Sequence, residues 1–376
     1  MSKPLSPISL DPTHCRERQG ALLGVLDSLR VDRAVLTRPE HIQYLTGFRP
    51  HRLMSGAVSL DSDGHCLLVS PNCVPDSVAA DDVIAFEAQC HATLRQDQPR
   101  AVSEAIQKAH QQRPAAKRVG VEFSCFGPHL RDAVCVGGDV EFVDVEPALW
   151  SLRRRKYPDE LQMIGRAIAC TEAMYARARE LIRPGITEIE VFNALHAAAV
   201  EVAGEPLTDL GNDYQCNSPG GPPRGRPAQS GELFILDLGP AYRGYYADNC
   251  RTFVVSGPPT DEQHMAWERI VAVLDMIERT VRPGVRCQAV FQKACDMLDC
   301  YCPKSFCHHL GHGIGLFPHE APHLNPHWDD TFEEGDVFTA EPGLYKPELR
   351  AGIRLEQNYR VTAEGVERLT SFPLHL

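Results

Sequence analysis

Gly231-Glu232-Leu233-Phe234-Ile235-Leu236-Asp237-Leu238-Gly239 and Gly335-Asp336-Val337-Phe338-Thr339-Ala340-Glu341-Pro342-Gly343 are two versions of one pattern. Glycine, an acid, phenylalanine, a second acid and glycine recur in register. Each version reads as an apolar strand ending on a carboxylate, Asp237 in one and Glu341 in the other. A carboxylate buried at a strand end is costly unless something pairs it. The repeat therefore predicts two related halves about a pseudo-twofold axis, with the two acids facing each other.

Each acid has a second one downstream. Tyr245-Tyr246-Ala247 leads into Asp248, and Gly239-Pro240-Ala241-Tyr242-Arg243-Gly244 has the residues of a turn. A hairpin would set Asp237 and Asp248 on one face. In the other half, Glu356 closes Gly352-Ile353-Arg354-Leu355-Glu356, and the chain turns back between Pro342 and Gly352. Arg354 and Glu356 share one strand face, with Leu355 on the other. A fifth element is His312 in Gly311-His312-Gly313-Ile314-Gly315, where glycines permit close backbone approach and the imidazole offers a neutral nitrogen. His308, His309, His319, His323 and His327 are its neighbours in sequence.

Outward from these strands the duplication continues. Ile182-Arg183-Pro184-Gly185-Ile186 returns as Val281-Arg282-Pro283-Gly284-Val285, each after a long helical stretch. Thr260 with Gln263 forms a capping box for the second of those helices. Upstream, Arg153-Arg154-Arg155-Lys156 reads as a solvated linker before a helix start at Tyr157-Pro158-Asp159-Glu160. This places a boundary near residue 150, with domains 1–150 and 151–376. The first part alternates helix and strand. It holds a helix from Cys15 through Leu22, Leu23, Leu26 and Leu29, then a strand Ala34–Leu36. A hairpin follows from Ala57 to Ser70 about Asp61-Ser62-Asp63-Gly64, with a helix over Val102–Ala109 and strands at Val119–Phe123 and Val140–Val143. That alternation is an α/β signature.

Composition narrows the function. Hydrophobic residues are 43% and charged residues 23% of the 376, which excludes a disordered chain. Thirty-eight Lys and Arg against fifty Asp and Glu give −12, so a broad basic face for nucleic acid is not expected. No apolar run reaches the ~18 residues of a membrane span, and Met1–Pro7 lacks the apolar core of an export signal. A soluble, cytoplasmic protein is the expectation. The fourteen cysteines contain no CxxC pair and read as reduced packing thiols, with a zinc cluster between Cys287 and Cys307 as the alternative.

Four carboxylates converging without cations would raise one another's pKa, and a metal pair removes that conflict. Carboxylates with one His favour Mn²⁺, with Co²⁺, Fe²⁺ and Zn²⁺ as alternatives. Two metals about 3.5–4 Å apart activate water for hydrolysis.

These residues resemble the pita-bread metallopeptidases, the creatinase, prolidase and aminopeptidase P group. The resemblance covers residues 150–376. It extends to the first domain through Arg38-Pro39-Glu40-His41-Ile42-Gln43-Tyr44-Leu45-Thr46-Gly47-Phe48, a domain that methionine aminopeptidases lack. It implies an α+β fold: a pita-bread catalytic domain with a pseudo-twofold repeat, preceded by a smaller α/β creatinase-type amino-terminal domain. It implies metal ligands at Asp237, Asp248, His312, Glu341 and Glu356, with Asp248 and Glu356 bridging two divalent ions. It further implies catalytic roles for Glu341 and His319, substrate contacts from His308 and Arg354, and a homodimer. The activity implied is hydrolysis of the amide bond before proline in short peptides, as in Xaa-Pro dipeptidases and aminopeptidases.

One stretch departs from the pattern. Where the family carries a histidine ahead of its first aspartate ligand, this chain reads Asn217-Ser218-Pro219-Gly220-Gly221-Pro222-Pro223-Arg224-Gly225-Arg226-Pro227. Arg224 and Arg226 read first as solvated arginines of a Pro/Gly loop, with replacement of that histidine as the alternative. The departure keeps two alternatives open: a metal-dependent hydrolase or lyase for a non-peptide small molecule, and a non-catalytic binding protein.

Overall fold

Asp11 starts the first helix, α1 (Pro12–Ser28), by accepting the Thr13 amide at 2.8 Å. Leu22 and Leu26 on α1 are buried, whereas Leu29 is its exposed C-cap. The computed structural model describes residues 6–135, 139–211 and 213–376. The chain divides into one unit over Ser9–Arg153 and a second over Arg154–Leu376 together with the stretch ending at Ile8.

The first unit continues with β1 (Arg33–Leu36), α2 (Pro39–Thr46), β2 (Ala57–Asp61), β3 (Cys66–Pro71) and β4 (Asp82–Phe86). Then come α3 (Gln98–His110), β5 (Arg118–Val121), α4 (Pro128–Val134), β6 (Glu141–Asp144) and α5 (Glu146–Arg154). The expected hairpin is β2–β3, closed by the Gly64 amide on the Asp61 carbonyl at 2.9 Å. The strands form one mixed sheet in the order β4-β3-β2-β1-β5-β6, parallel at β3–β4, β1–β5 and β5–β6. Val35, Val69, Val102, Ile106 and Val119 fill the space between sheet and helices.

The second unit opens with α6 (Pro158–Leu181) and α7 (Glu188–Ala203), followed by β7 (Asp213–Cys216), β8 (Leu233–Leu238) and β9 (Asn249–Val254). Two more helices, α8 (Asp261–Thr280) and α9 (Cys287–Asp299), begin the other half. That half ends in β10 (Gly311–Gly313), β11 (Glu320–Leu324), β12 (Val337–Ala340), β13 (Gln357–Val361) and β14 (Val366–Arg368). The two Arg-Pro-Gly turns join α6 to α7 and α8 to α9, as a duplicated unit requires. Thr260 and Gln263 do form the capping box of α8, and Thr187 with Glu190 forms one at α7. The strands make two antiparallel sheets, β9-β8-β7 and β11-β10-β12-β13-β14.

The repeated strands place their acids in different register. Asp237 on β8 faces Cys250 on β9, so Asp248 lies two residues ahead of its partner, just before β9. Ala340 on β12 faces Gln357 on β13, so Glu341 and Glu356 follow directly opposite each other. Reciprocal bonds stitch the halves together. Asn249 Nδ2 donates to the Glu356 carbonyl at 2.6 Å, Asn358 Nδ2 donates to the Asp248 carbonyl, and the Glu356 amide donates to the Cys250 carbonyl at 3.0 Å. Each acid-bearing backbone segment is thus held by the opposite half.

One expectation needs adjustment. The basic run is not a solvated linker: Arg153, Arg154 and Lys156 are buried, and only Arg155 is exposed. Arg154 donates to both Asp336 carboxylate oxygens at 2.9 and 2.7 Å, and Lys156 reaches Glu320 at 3.3 Å. A buried charge is tolerated when it is paired this way. All fourteen cysteines are free, and among the described residues none joins a group able to hold a metal. No helix of the described residues is long and apolar enough to cross a membrane.

Candidate metal centre and cleft

Asp237, Asp248, His312, Glu341 and Glu356 come together where the two halves meet. Among the described residues, three groups have ligand atoms mutually within 4.8 Å: Asp237 with Glu341 and Glu356, His308 with His309 and the same Glu341, and Asp248 with His312 and His319. A cleft of about 460 Å³ opens over them. Asp237, Asp248, His312, Glu341, His308, His309, His319 and Arg354 line it, with Asp213, Pro219, Cys307 and Tyr345.

The carboxylates are strained for want of countercharge. Burial pushes Asp237 up to about 6, with Arg354 pulling it down and Glu341 and Asp213 adding repulsion. Burial, with the neighbouring acids, lifts Asp248 and Glu356 well above the carboxylate range. Glu341 is the exception. Burial works against its charge, but the His309 hydrogen bond and the nearby histidines win and hold it near 2. Asp237 Oδ1 and both Glu356 oxygens are buried with no hydrogen-bond partner. Buried acceptors left bare like this are rare in folded proteins.

The His312 ring has the tautomer that a metal ligand needs. Nδ1 lies 3.0 Å from the Gly313 carbonyl, which makes it the protonated donor. Nε2 then carries a lone pair, 3.6 Å from both Asp248 Oδ2 and Glu341 Oε1. Three acceptor atoms facing one another across a gap are an arrangement that a cation satisfies. Burial holds the His312 pKa down at about 3, so the ring is neutral. Gly311 and Gly313 make this placement possible, because a Cβ on either would lie 2.1 Å from the Thr339 or Ala321 carbonyl oxygen. His319 is exposed and stacks on His312, centroids 3.8 Å apart and planes 9° from parallel.

The two expected substrate-contacting residues are engaged with the protein. His308 Nδ1 donates to the His309 carbonyl at 2.7 Å, and Nε2 faces the Tyr345 hydroxyl at 3.0 Å. Arg354 donates to Tyr345 Oη at 2.9 Å, to Asp237 Oδ2 at 2.8 Å and to Asp213. The loop arginines do not reach the cleft. Arg224 pairs with buried Glu188 at 2.6 Å, and Arg226 pairs with Glu232. Neither takes the place of the missing histidine.

Sequence reasoning passed over His309, Asp213 and Tyr345. His309 Nε2 lies 3.0 Å from Glu341 Oε1, and this contact raises its pKa against the pull of burial. The doubled His308-His309 just before Gly311 was the available signal. Asp213 had none, since only strand pairing brings it beside Asp237.

Comparison with known proteins identifies the family. Residues 162–363 match the metallopeptidase family M24 model, and residues 18–155 match the creatinase/prolidase N-terminal domain. The Xaa-Pro dipeptidase of Pyrococcus furiosus is 26% identical over 364 residues, covering 94% of this chain and 98% of its own length. The solved prolidase of Pyrococcus horikoshii superposes with a TM-score of 0.80 at 23% identity, covering 96% of this chain and 99% of that one. The Xaa-Pro dipeptidase of Bacillus anthracis gives the same TM-score, 0.80, at 24% identity over 96% and 99% of the two chains. With its catalytic model spanning more than half of the residues, this chain belongs to metallopeptidase family M24, as a peptidase with the pita-bread fold behind a creatinase-type amino-terminal domain.

Proposed function

We propose that the chain is a hydrolase with two divalent metal ions, Mn²⁺ foremost, that cleaves the amide bond before proline in short peptides. The observation that carries this reading is the meeting of acids from two duplicated halves, Asp237 with Glu341 and Glu356, and Asp248 and Glu341 each 3.6 Å from His312 Nε2. Three of their buried oxygens have no other partner. Asp237, Asp248, His312, Glu341 and Glu356 would hold the ions. When bound, the ions supply Lewis acidity and an activated water.

The remaining chemistry belongs to the chain. Glu341, kept ionised beside His309, takes the proton of the attacking water and returns it to the leaving nitrogen. His319, exposed at the cleft and stacked on His312, donates to the developing oxyanion. The relatives named as Xaa-Pro dipeptidases support the choice of bond. The cleft volume of about 460 Å³ suits a short peptide rather than a folded protein. The protein acts as a homodimer in the cytoplasm under this reading.

The test is hydrolysis of Xaa-Pro dipeptides and Xaa-Pro-Xaa peptides by protein loaded with Mn²⁺, Co²⁺, Fe²⁺ or Zn²⁺, with bound metal counted in parallel. Glu356→Ala is expected to lose one or both metals and at least 10³ in kcat/KM. Two bound metals with no turnover of any peptide would overturn the peptidase reading in favour of non-peptide chemistry, and failure to bind metal would leave a binding protein.

A further inference from the structure

We propose that the segment Ser371–Leu376 is a strap that sets metal affinity, acting through Arg251, a positioning residue for the acids of the centre. The inference rests on the two-metal reading above and goes beyond it, to what keeps the acids in place.

Arg251 lies on β9, just past Asp248, and is 1% exposed. A guanidinium carries five N–H donors, and here each one has an acceptor. Nη1 donates to the Cys250 carbonyl at 2.8 Å and to the Glu356 carbonyl. Nη2 donates to Gln357 Oε1 at 3.0 Å and to the Phe372 carbonyl at 2.8 Å, and Nε donates to the Pro373 carbonyl at 3.0 Å. Cys250 and Glu356 belong to opposite halves, so one guanidinium bridges the halves beside their acids. Two of its five donors are taken by the strap.

Tyr175 on α6 acts beside it. Its hydroxyl is buried, 3.3 Å from the Leu236 carbonyl and bonded to the Asn249 carbonyl. Leu236 precedes Asp237, and Asn249 follows Asp248. The Phe372 ring covers both groups: its centroid is 4.8 Å from that of Tyr175 and 5.9 Å from Arg251 Cζ. The backbone next to Asp237, Asp248 and Glu356 is thus fixed by two side chains that share one aromatic lid.

The strap has anchors of its own. Trp267 Nε1 donates to the Leu374 carbonyl at 2.7 Å, and Ser371 Oγ donates to Glu172 Oε1 at 2.7 Å. Arg179 Cζ stands 4.6 Å over the Phe372 ring, and Leu374 and Leu376 pack against the core of the second unit. Loosening the strap would leave two buried donors of Arg251 without acceptors, a cost that the guanidinium relieves by turning away from Glu356. The acids then meet their ions in a looser cage, and outer partners of metal ligands are commonly worth about ten- to a hundredfold in affinity.

The experiment titrates Mn²⁺ into dialysed full-length protein by calorimetry. It compares wild type, Phe372→Ala, Phe372→Tyr and Trp267→Phe, with Val102→Ala as a control that loses packing in the first unit. Phe372→Ala is expected to weaken Mn²⁺ binding about tenfold or more, and Phe372→Tyr, which keeps an aromatic lid, to stay within about twofold of wild type. Trp267→Phe, which frees the Leu374 carbonyl, should weaken binding about threefold, and it carries the test if Phe372→Ala fails to fold. Val102→Ala should bind as wild type does. Unchanged affinity in Phe372→Ala and Trp267→Phe, or equal weakening in Val102→Ala, would overturn the proposal and leave the two-metal reading standing. Wild type that binds no divalent ion would overturn both.

Discussion

His309 is a positioning residue at a distance that matters. Its Nε2 lies 3.0 Å from Glu341 Oε1, and its ring stacks 5.2 Å from His312 and 5.5 Å from His319. It fixes the carboxylate proposed above to move the proton, so its loss should act on turnover rather than on substrate binding. His309→Ala is expected to lower kcat about ten- to a hundredfold, with KM and bound metal nearly unchanged, a part of the ~10²–10⁴ that general acid–base catalysis supplies. His309→Gln, which restores a donor, should recover part of the loss. A KM effect alone would mean that His309 contacts substrate instead. The five-residue set of Asp237, Asp248, His312, Glu341 and Glu356 was legible because each acid sits in a repeated or glycine-flanked pattern. His309 and Asp213 carry no such pattern, and their place in the cleft comes from stacking and strand pairing that no linear spacing records.

At the scale of elements, the duplication was read from the Gly-acid-Phe-acid-Gly strands and the Arg-Pro-Gly turns, and both recur as structural equivalents. The basic run misled because charge in sequence says nothing about a partner far along the chain. The partner of Arg154 is Asp336, the first acid of the second repeated strand. Asp336 is 1% exposed and also accepts the Glu333 amide at 2.8 Å, so its carboxylate lies in the interior beside Arg154. Arg154→Met would strand that charge, with an expected loss of about 3–5 kcal/mol of stability. Arg154→Met with Asp336→Leu should recover most of it, since removing both charges removes the desolvation penalty. Chemical denaturation of the three proteins measures the difference, and equal losses in the single and double variants would show that the pair has no such role.

At the scale of the whole molecule, the two halves are joined at the place where their acids repel most, so stability and metal occupancy are linked through pH. Burial raises Asp237 to about 6 and lifts Asp248 and Glu356 well above their ordinary range, while Glu341 is held near 2. A carboxyl raised on folding contributes stability that is full below its unfolded pKa, about 4, and is lost as pH rises through the folded value. Glu341 contributes in the opposite sense, and its share is lost only as pH falls toward 2. The three raised carboxyls pull the stability of the metal-free protein down as pH rises from about 4 to 7, while His308 and His312, held at about 4 and 3 with or without an ion, push it up to about pH 6.5. Divalent ions replace the missing protons and bind more tightly as those protons leave. The melting temperature of metal-loaded protein minus that of metal-free protein should therefore widen steadily from pH 5 to pH 7.5. Glu356→Gln, which removes one raised carboxyl, should flatten the metal-free curve over that range. Thermal unfolding of dialysed protein with and without Mn²⁺ at each pH makes the measurement. A gap that stays constant or narrows would mean that the acids between the halves find their countercharge without metal.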